Sequence, residues 1–564
     1  MTPTALVLGP LLRYVDEVSA SLWFETRDAG AVVVHLGDRS FAARTFGAHG
    51  RHYALVQAHG LQPASVTPYT VDIDGARVWP PADSAFPASV IATLGPERPL
   101  RLAFGSCRTS IPHDKLGNRT HGVDALRAQA VRAAADDTAA RPDLILFLGD
   151  QVYADVTSEA MQVFIRSRRE ISEGPGSELA DFEEYAHLYS LAWSDPANRW
   201  LLSTVPTAMI FDDHDIRDDW NASLSWKREM ANTSWWRGRI VAGLGSYWVY
   251  QHLGNLSPAA RQTDEIWSRI AAHPGGTELD LTPVLDAFAQ RCDEEPDSYR
   301  WSYCREFTEA RLVVLDSRAS RVLDPESRSL LGSTETAWLN EQLRGDVRHL
   351  FIGTSLPFLL PTGLHHLESW DEAVSEGAWG PMFTGVGERM RRAVDLEHWG
   401  AFQTSFRRVA AMVTEVADGA RGSAPETVMF LSGDVHFSYA AEVDRGSGSR
   451  LLQVVCSPIR NPLPVLLRSF SAVLAYGLST RISALLARSA RVASPPFTWS
   501  TIAGPWFDNS LATLQVTEQG LDLVWESGVV HGGDYARPRV TTTARLRVPR
   551  RSSSGQVSAA SGPR

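Results

Sequence analysis

Four apolar runs in this 564-residue chain end in residues that can bind a cation or carry a proton. RLAF runs into Gly105-Ser106-Cys107-Arg108, and LILFL into Gly149-Asp150-Gln151-Val152-Tyr153. AMIF is followed by Asp212-Asp213-His214-Asp215, then Arg217, Asp218, Asp219 and Trp220. VMFLS leads to Gly433-Asp434-Val435-His436. In open α/β sheets ligands bind at the carboxyl ends of strands, where these residues would lie. Taken singly, each has a plain structural use: Cys107 as a small buried residue, Asp212 or Asp213 as a helix cap. Together they place thiol, phenol, carboxylate and imidazole at four strand ends. Burying adjacent acids costs several kcal/mol unless a cation offsets their charge, so the set points to a multivalent metal centre. Asp434 and His436 alternate around Val435, so on a strand their side chains share one face.

The elements that must position these groups follow from hydrophobic pattern. From residue 96 to 548, continuous apolar strands alternate with helical segments such as GVDALRAQAVRAAADDTAA and the Ser/Thr-capped STETAWLNEQLR. That alternation predicts a layered α/β domain. Residues 1–95 instead carry short β-branched and aromatic runs between Gly, Asp and Pro, which predicts a small all-β sandwich. Residues 549–564, rich in Ser and Gly, are expected to be a disordered tail. Residues 445–507 hold seven arginines and no acid. They read either as amphipathic helix packed on the domain or as a peripheral membrane contact.

Composition narrows the function classes. Hydrophobic residues make up 44% and charged residues 21%, which is ordinary for a globular protein and excludes global disorder. A net charge of −11 argues against sequence-specific nucleic-acid binding. Four cysteines with no CxxC pair make neither a disulfide scaffold nor a zinc ribbon. The chain shows no signal peptide, twin-arginine signal or transmembrane run, so a cytoplasmic location is expected.

The ordered set GSCR, GDQVYAD, FDDHDIRDDW and SGDVH resembles the alkaline phosphatase D family of calcineurin-like metallophosphoesterases. YCREFTEARLVVLDSR, the WLNEQL helix, Trp370-Asp371 and CSPIRNP extend the resemblance over roughly residues 98 to 510. It implies an αββα four-layer metallophosphatase sandwich behind the small β domain, with a phosphate-ester substrate, monoester or diester. It also implies a dinuclear metal centre, found with iron and calcium in some members. Carried over by position, Asp150 would bridge two metals, Cys107 and Tyr153 would bind the first, and Asp213 the second. Asp434 and His436 would ligate the second and first metals. Thiolate plus phenolate would favour Fe(III), partnered by a divalent cation such as Ca, Mn, Mg or Zn. A metal-bridging hydroxide would attack phosphorus, with His214 as general acid, Asp215 orienting it and Arg108 stabilising the phosphoryl oxygens.

Departures from the pattern shape further expectations. The strand HLFIGTSLP carries Thr354 and Ser355 where the wider superfamily has a fourth histidine motif. His365 and His366 fall in an expected loop beyond it, and are not assigned as ligands. Arg217, Asp218 and Asp219 would support the ligands, hold a third cation or cap a helix. The aromatics Trp220, Trp226, Trp235, Trp236, Tyr247, Trp248 and Tyr250 read as helix-packing core or as a wall selecting the leaving group. Trp370 and Trp379, in an expected Gly-rich loop, would close over the site. The alternatives to a phosphatase are a nucleotide or lipid phosphodiesterase, and, from another class, a non-catalytic metal-binding module or scaffold.

Overall fold

A computed structural model of the chain describes residues 5–550 apart from 97, 137–140, 394 and 464–477. Two large sheets form its centre. One orders the strands Thr207–Ile210, Leu144–Leu148, Arg101–Gly105, Ser510–Thr517, Gly520–Val529 and Arg539–Pro549. The other runs Tyr303–Glu306, Ala310–Leu315, His349–Thr354, Thr427–Ser432, Arg450–Val455, Ser438–Val443 and Trp499–Trp506. The strands that end in the polar motifs run parallel to one another within each sheet, Arg101–Gly105 alone also pairing antiparallel with Ser510–Thr517, and they are buried at almost every residue because both faces of each sheet are covered.

The sheets face each other across an apolar layer in which Leu146, Leu148 and Ile210 meet Val314, Phe351 and Leu431. Helices Ala125–Ala135, Phe182–Trp193 and Trp236–Tyr247 cover the outer face of the first sheet. Helices Ser333–Gln342 and Gln403–Ala417 cover the outer face of the second. The result is the expected αββα sandwich. The aromatics after Asp215 belong to its first outer layer: Trp220, Trp226, Trp236, Tyr247, Trp248 and Tyr250 are buried there as helix-packing core.

The leading β region is two packed sheets, but it does not close on its own residues. Its first sheet, Leu6–Val15, Ser19–Thr26, Arg51–His59 and Phe46–Ala48, is completed by Leu279–Asp280 from the α/β part. In return Arg13, fully buried, donates to the carbonyls of Tyr250 and Gln251, both at 2.7 Å. A boundary at residue 95 therefore divides the sequence more cleanly than the packing.

Residues 445–507 are only partly described, since 464–477 lie outside the described residues. Their described helix, Leu478–Ser489, packs on helix Thr362–Ser375 through Leu486 and Ala487, with Ala490 just past its end. No helix among the described residues is long and apolar enough to cross a membrane. Two loop expectations are corrected here. His365, His366 and Trp370 all lie within helix Thr362–Ser375, whose apolar face buries His365 and Trp370 in the protein interior. Trp370 therefore cannot act as part of a mobile flap, and only Trp379, packed edge-on against it at 5.2 Å, sits beyond the helix end.

Burial also sets an acid sensitivity. His252 is fully buried, with Nε2 on the Tyr299 hydroxyl at 2.9 Å and Nδ1 unpartnered, and desolvation pulls its pKa down to about 3. The unfolded chain takes up that proton near pH 6.5, so the folded state loses stability as pH falls below that value. Relative to His252→Phe, which cannot titrate, the wild type is expected to lose about 2 kcal/mol between pH 7 and pH 5. Urea unfolding of both proteins at the two pH values measures it, and parallel pH dependence would refute it.

Candidate metal centre

The backbone at the strand ends is unusual. Cys107, Asp150, Asp434 and His436 all have left-handed conformations, with φ of 57°, 50°, 64° and 55°. Non-glycine residues held there carry strain that persists only where the surroundings enforce it, typically at functional sites. Crowding explains the glycines beside them. A Cβ on Gly433 would lie 2.0 Å from Ser106 Oγ, and one on Gly149 2.6 Å from Asp212 Cβ. The first two loops are laced together by Cys107 N–H to Gly149 O at 3.3 Å and Arg108 N–H to Asp150 O at 3.0 Å.

These turns bring the predicted ligands together. Cys107 Sγ lies 3.3 Å from Asp150 Oδ2, and the Tyr153 hydroxyl donates to the same oxygen at 3.4 Å. Three groups of donor atoms, each within 4.8 Å of one another, are formed by Cys107, Asp150 and His436, by Asp150, Asp213 and His214, and by Asp212, Asp213 and Asp434. Asp150 belongs to two of the groups, as a bridging carboxylate must.

The electrostatics favour bound cations. Burial, with Asp150 and Asp434 nearby, pushes the Cys107 thiol well up, and burial with Cys107 and Asp150 does the same to Tyr153. Asp150 is likewise raised well above the usual carboxylate range, by burial and by the neighbouring aspartates. Burial lowers His436 to about 4, which keeps its ring neutral and its lone pair available. Asp150 Oδ1 and Asp212 Oδ2 are buried with no hydrogen-bond partner. Orphaned anionic oxygens at such a site fit metal ligation: thiolate, phenolate and imidazole for one ion, carboxylates for another.

Two predicted roles do not match the geometry. Asp215 does not touch the His214 ring. Its carboxylate turns inward and accepts from the backbone N–H of Asp150 at 2.9 Å and of Asp212 at 3.0 Å, and from Gln251 at 3.0 Å. The imidazole is held instead by Asp155, which faces Nδ1 at 2.9 Å. Burial opposes charge on His214, but Asp155 and Asp213 overcome it and raise the pKa well above the ordinary value. Arg108 is also not aimed at the candidate donor groups. It is 2% exposed, pairs through Nε and Nη2 with Asp124 at 3.0 and 2.8 Å, and donates to Ala192 O. Asp124 caps helix Ala125–Ala135, so Arg108 braces a helix start rather than a phosphate.

Other neighbours were not among the expected site residues. Arg318, wholly buried, pairs with Asp212, with Asp213 at 3.3 Å and with Glu397 at 2.6 Å. Its charge compensates carboxylates that would otherwise repel. His398 reaches Asp434 Oδ2 at 2.7 Å. Of the residues beyond the DDHD turn, Arg217 pairs with Glu178 at 2.9 Å, Asp218 is largely exposed, and Asp219 donates its N–H to Asp213 at 3.1 Å. The fourth strand end carries Ser355, whose hydroxyl meets Ser317 at 2.7 Å, in place of a histidine.

Comparison with known proteins agrees with this arrangement. A solved structure described as "Structure of PhoD" shares the fold at a TM-score of 0.58, with 14% identity, covering 97% of this chain and 90% of that one. Two further solved structures, the type III pullulan hydrolase from Thermococcus kodakarensis (11% identity, 93% of this chain and 95% of that chain) and the maltogenic amylase from S. marinus (10%, 93% and 77%), reach TM-scores of only 0.15 and carry no argument. No curated protein matches. Residues 3–91 match a domain of unknown function (DUF7800). Residues 120–466, more than half the chain, match the model for PhoD-like phosphatase, and the chain belongs to that family of metal-dependent hydrolases.

Proposed function

We propose that this phosphatase hydrolyses phosphate monoesters, diesters or both, with two cations side by side at the strand ends. Iron(III) would be held by Cys107, Asp150, Tyr153 and His436. A divalent cation (Ca, Mn, Mg or Zn) would be held by Asp150, Asp213 and Asp434, with Asp212 added from the geometry. When bound, the cations would polarise a phosphoryl oxygen and acidify water. The observation that carries the reading is Asp150 standing in two donor groups, one with Cys107 and His436, the other with Asp213 and His214, while Asp213 links the second to the all-carboxylate group of Asp212, Asp213 and Asp434.

The chain's own residues supply the rest. Asp155 accepts from Nδ1 of His214 and so leaves Nε2–H to protonate the leaving alkoxide. Asp215 ties the Asp150 and Asp212 turns together through their amides, fixing the separation of the two donor groups. Burial raises the pKa of Asp212 and Asp213, and the Arg318 guanidinium pulls against that rise, favouring their charged forms.

The test is metal content, a visible spectrum and hydrolysis of p-nitrophenyl phosphate and bis-p-nitrophenyl phosphate, on wild type and Tyr153→Phe. A broad phenolate-to-iron band that disappears in the variant is expected. A colourless wild type holding other metals would overturn the iron assignment. Metal-loaded protein that cleaves neither ester nor any other phosphate ester would revive the non-catalytic scaffold.

One observation favours a second reading, action on phosphate esters at a membrane surface. Helix Leu478–Ser489 leaves Ile482 53% and Leu485 62% exposed, beside the exposed Arg481 and Arg488. Apolar and cationic side chains together suit an anionic lipid interface. Co-sedimentation with phosphatidylglycerol vesicles but not phosphatidylcholine vesicles, lost in Ile482→Glu/Leu485→Glu, is expected. Equal pelleting with both lipids or with neither would exclude it.

A further inference from the structure

We infer that Glu368 and His398 form a positioning dyad for Asp434, and that the segment carrying His398 sets the affinity of the carboxylate-rich cation site. The inference rests on the metal-centre reading above. His398 has both ring nitrogens engaged by carboxylates: Nδ1 with Glu368 Oε1 at 2.6 Å and Nε2 with Asp434 Oδ2 at 2.7 Å. The backbone N–H of His398 also faces Glu368 Oε1, at 3.3 Å. Glu368 is 1% exposed on helix Thr362–Ser375 and His398 is 8% exposed, so neither pair is a casual surface contact.

The surroundings are shaped to this pair. Gly400 lies two residues on, and a Cβ there would come within 2.5 Å of Glu368 Oε2 and 3.1 Å of Glu368 Cβ. The helix carries Glu368 so close to the chain that no side chain fits between them. On the other side, Asp434 is fixed by its own N–H to Ser106 Oγ at 2.9 Å. With Oδ2 committed to His398, Asp434 has Oδ1 to offer to the group it forms with Asp212 and Asp213.

The preceding residue makes the same kind of connection by another route. Glu397 Oε2 holds Arg318 at 2.6 Å and Arg321 at 3.2 Å, and Arg318 in turn holds Asp212 and Asp213. Two consecutive residues thus brace all three carboxylates of the group, one through an imidazole and the other through a guanidinium. A partner that orients a ligating carboxylate typically accounts for about 10–100-fold in metal affinity. His398 does this work for Asp434, and Glu368 fixes the ring that does it.

The test titrates Mn²⁺ into iron-loaded protein from which the second cation has been chelated, reading free Mn²⁺ by electron paramagnetic resonance. His398→Phe is expected to bind the second cation about 10–100-fold more weakly while the iron band is unchanged. His398→Gln keeps an N–H donor and is expected to recover most of that loss. Unchanged Mn²⁺ affinity in His398→Phe, beside a wild type that binds, overturns the dyad alone. A wild type that takes up no second cation overturns the metal-centre reading with it. A nitrogen coupling to bound Mn²⁺ that vanishes in His398→Gln would make His398 a ligand and also overturn the positioning role. If circular dichroism shows His398→Phe unfolded, Glu368→Gln decides. It is expected to weaken Mn²⁺ binding with the iron band retained, and wild-type affinity in that isosteric variant overturns the inference.

Discussion

Asp150→Asn is expected to cost both cations at once and to lower kcat/KM by about 10³–10⁴, the scale of a few lost kcal/mol of transition-state stabilisation. The same substitution is expected to make metal-free protein more resistant to unfolding. The two effects have one origin. Asp150 is fully buried, its Oδ1 lacks a protein partner, and its backbone is held at φ 50°. Folding therefore works against its charge, and its folded pKa lies above the unfolded one. Stability from such a group is fully present below the unfolded pKa and lost as pH rises from there through the folded pKa, so at pH 7 the neutral amide is the better buried side chain. Asparagine is also among the side chains that best tolerate a left-handed backbone. Elemental analysis and turnover measure the first effect, and urea unfolding of chelated protein measures the second. A variant that keeps one full metal equivalent would show that Asp150 is not a bridge. A variant less stable than wild type without metal would show that its charge is compensated by other means.

His214→Gln is expected to lower turnover of an alkyl phosphate by about 10²–10⁴, yet to change turnover of a p-nitrophenyl ester by less than about tenfold. A general acid matters in proportion to the basicity of the leaving oxygen, and p-nitrophenolate departs without a proton. Asp155→Asn is expected to follow the same pattern more weakly, since it alters the group at Nδ1 and leaves Nε2 in place. The measurement is kcat against leaving-group pKa for each variant. Parallel losses across all leaving groups would assign His214 to binding, consistent with its nearness to Asp150 and Asp213.

What could be read from sequence divides along physical lines. Cys107, Asp150, Asp213, Asp434 and His436 were legible because each ends an apolar strand, and strand ends in such sheets converge. The partner of His214 was not, since adjacency in sequence misleads where the chain tightens. Asp213–Asp215 form a single 3₁₀ turn, and at three residues per turn the side chains of His214 and Asp215 diverge by about 120°. Asp215 is thereby sent back to the amides, while Asp155 arrives from another loop. Arg108 misled in the same way. It follows Cys107 directly, but beyond the strand end its side chain pairs with Asp124 at the start of helix Ala125–Ala135. Arg318 closes the quoted run YCREFTEARLVVLDSR without being marked as a site residue, and Glu368, Glu397 and His398 belong to no local pattern and come from two further segments. Only their packing makes them neighbours. The β character of residues 1–95 was plain from its short β-branched runs. The two-residue strand Leu279–Asp280 that completes its first sheet is too short to carry any pattern.

That borrowed strand has a bearing on how the chain is made. Synthesis proceeds from the amino end, so the leading sheet emerges from the ribosome long before residues 279 and 280 exist. At about 5–20 residues per second, the sheet edge at Phe46–Ala48 stands open for on the order of ten to forty seconds. An open edge invites pairing with a passing strand from another nascent chain. The edge in question is three residues long, too short to template much, and Arg13 cannot reach its carbonyl partners until residues 250 and 251 have also been made. Ribosome-bound chains shorter than about 280 residues should thus display an unfinished sandwich, and the two halves of this enzyme must mature together.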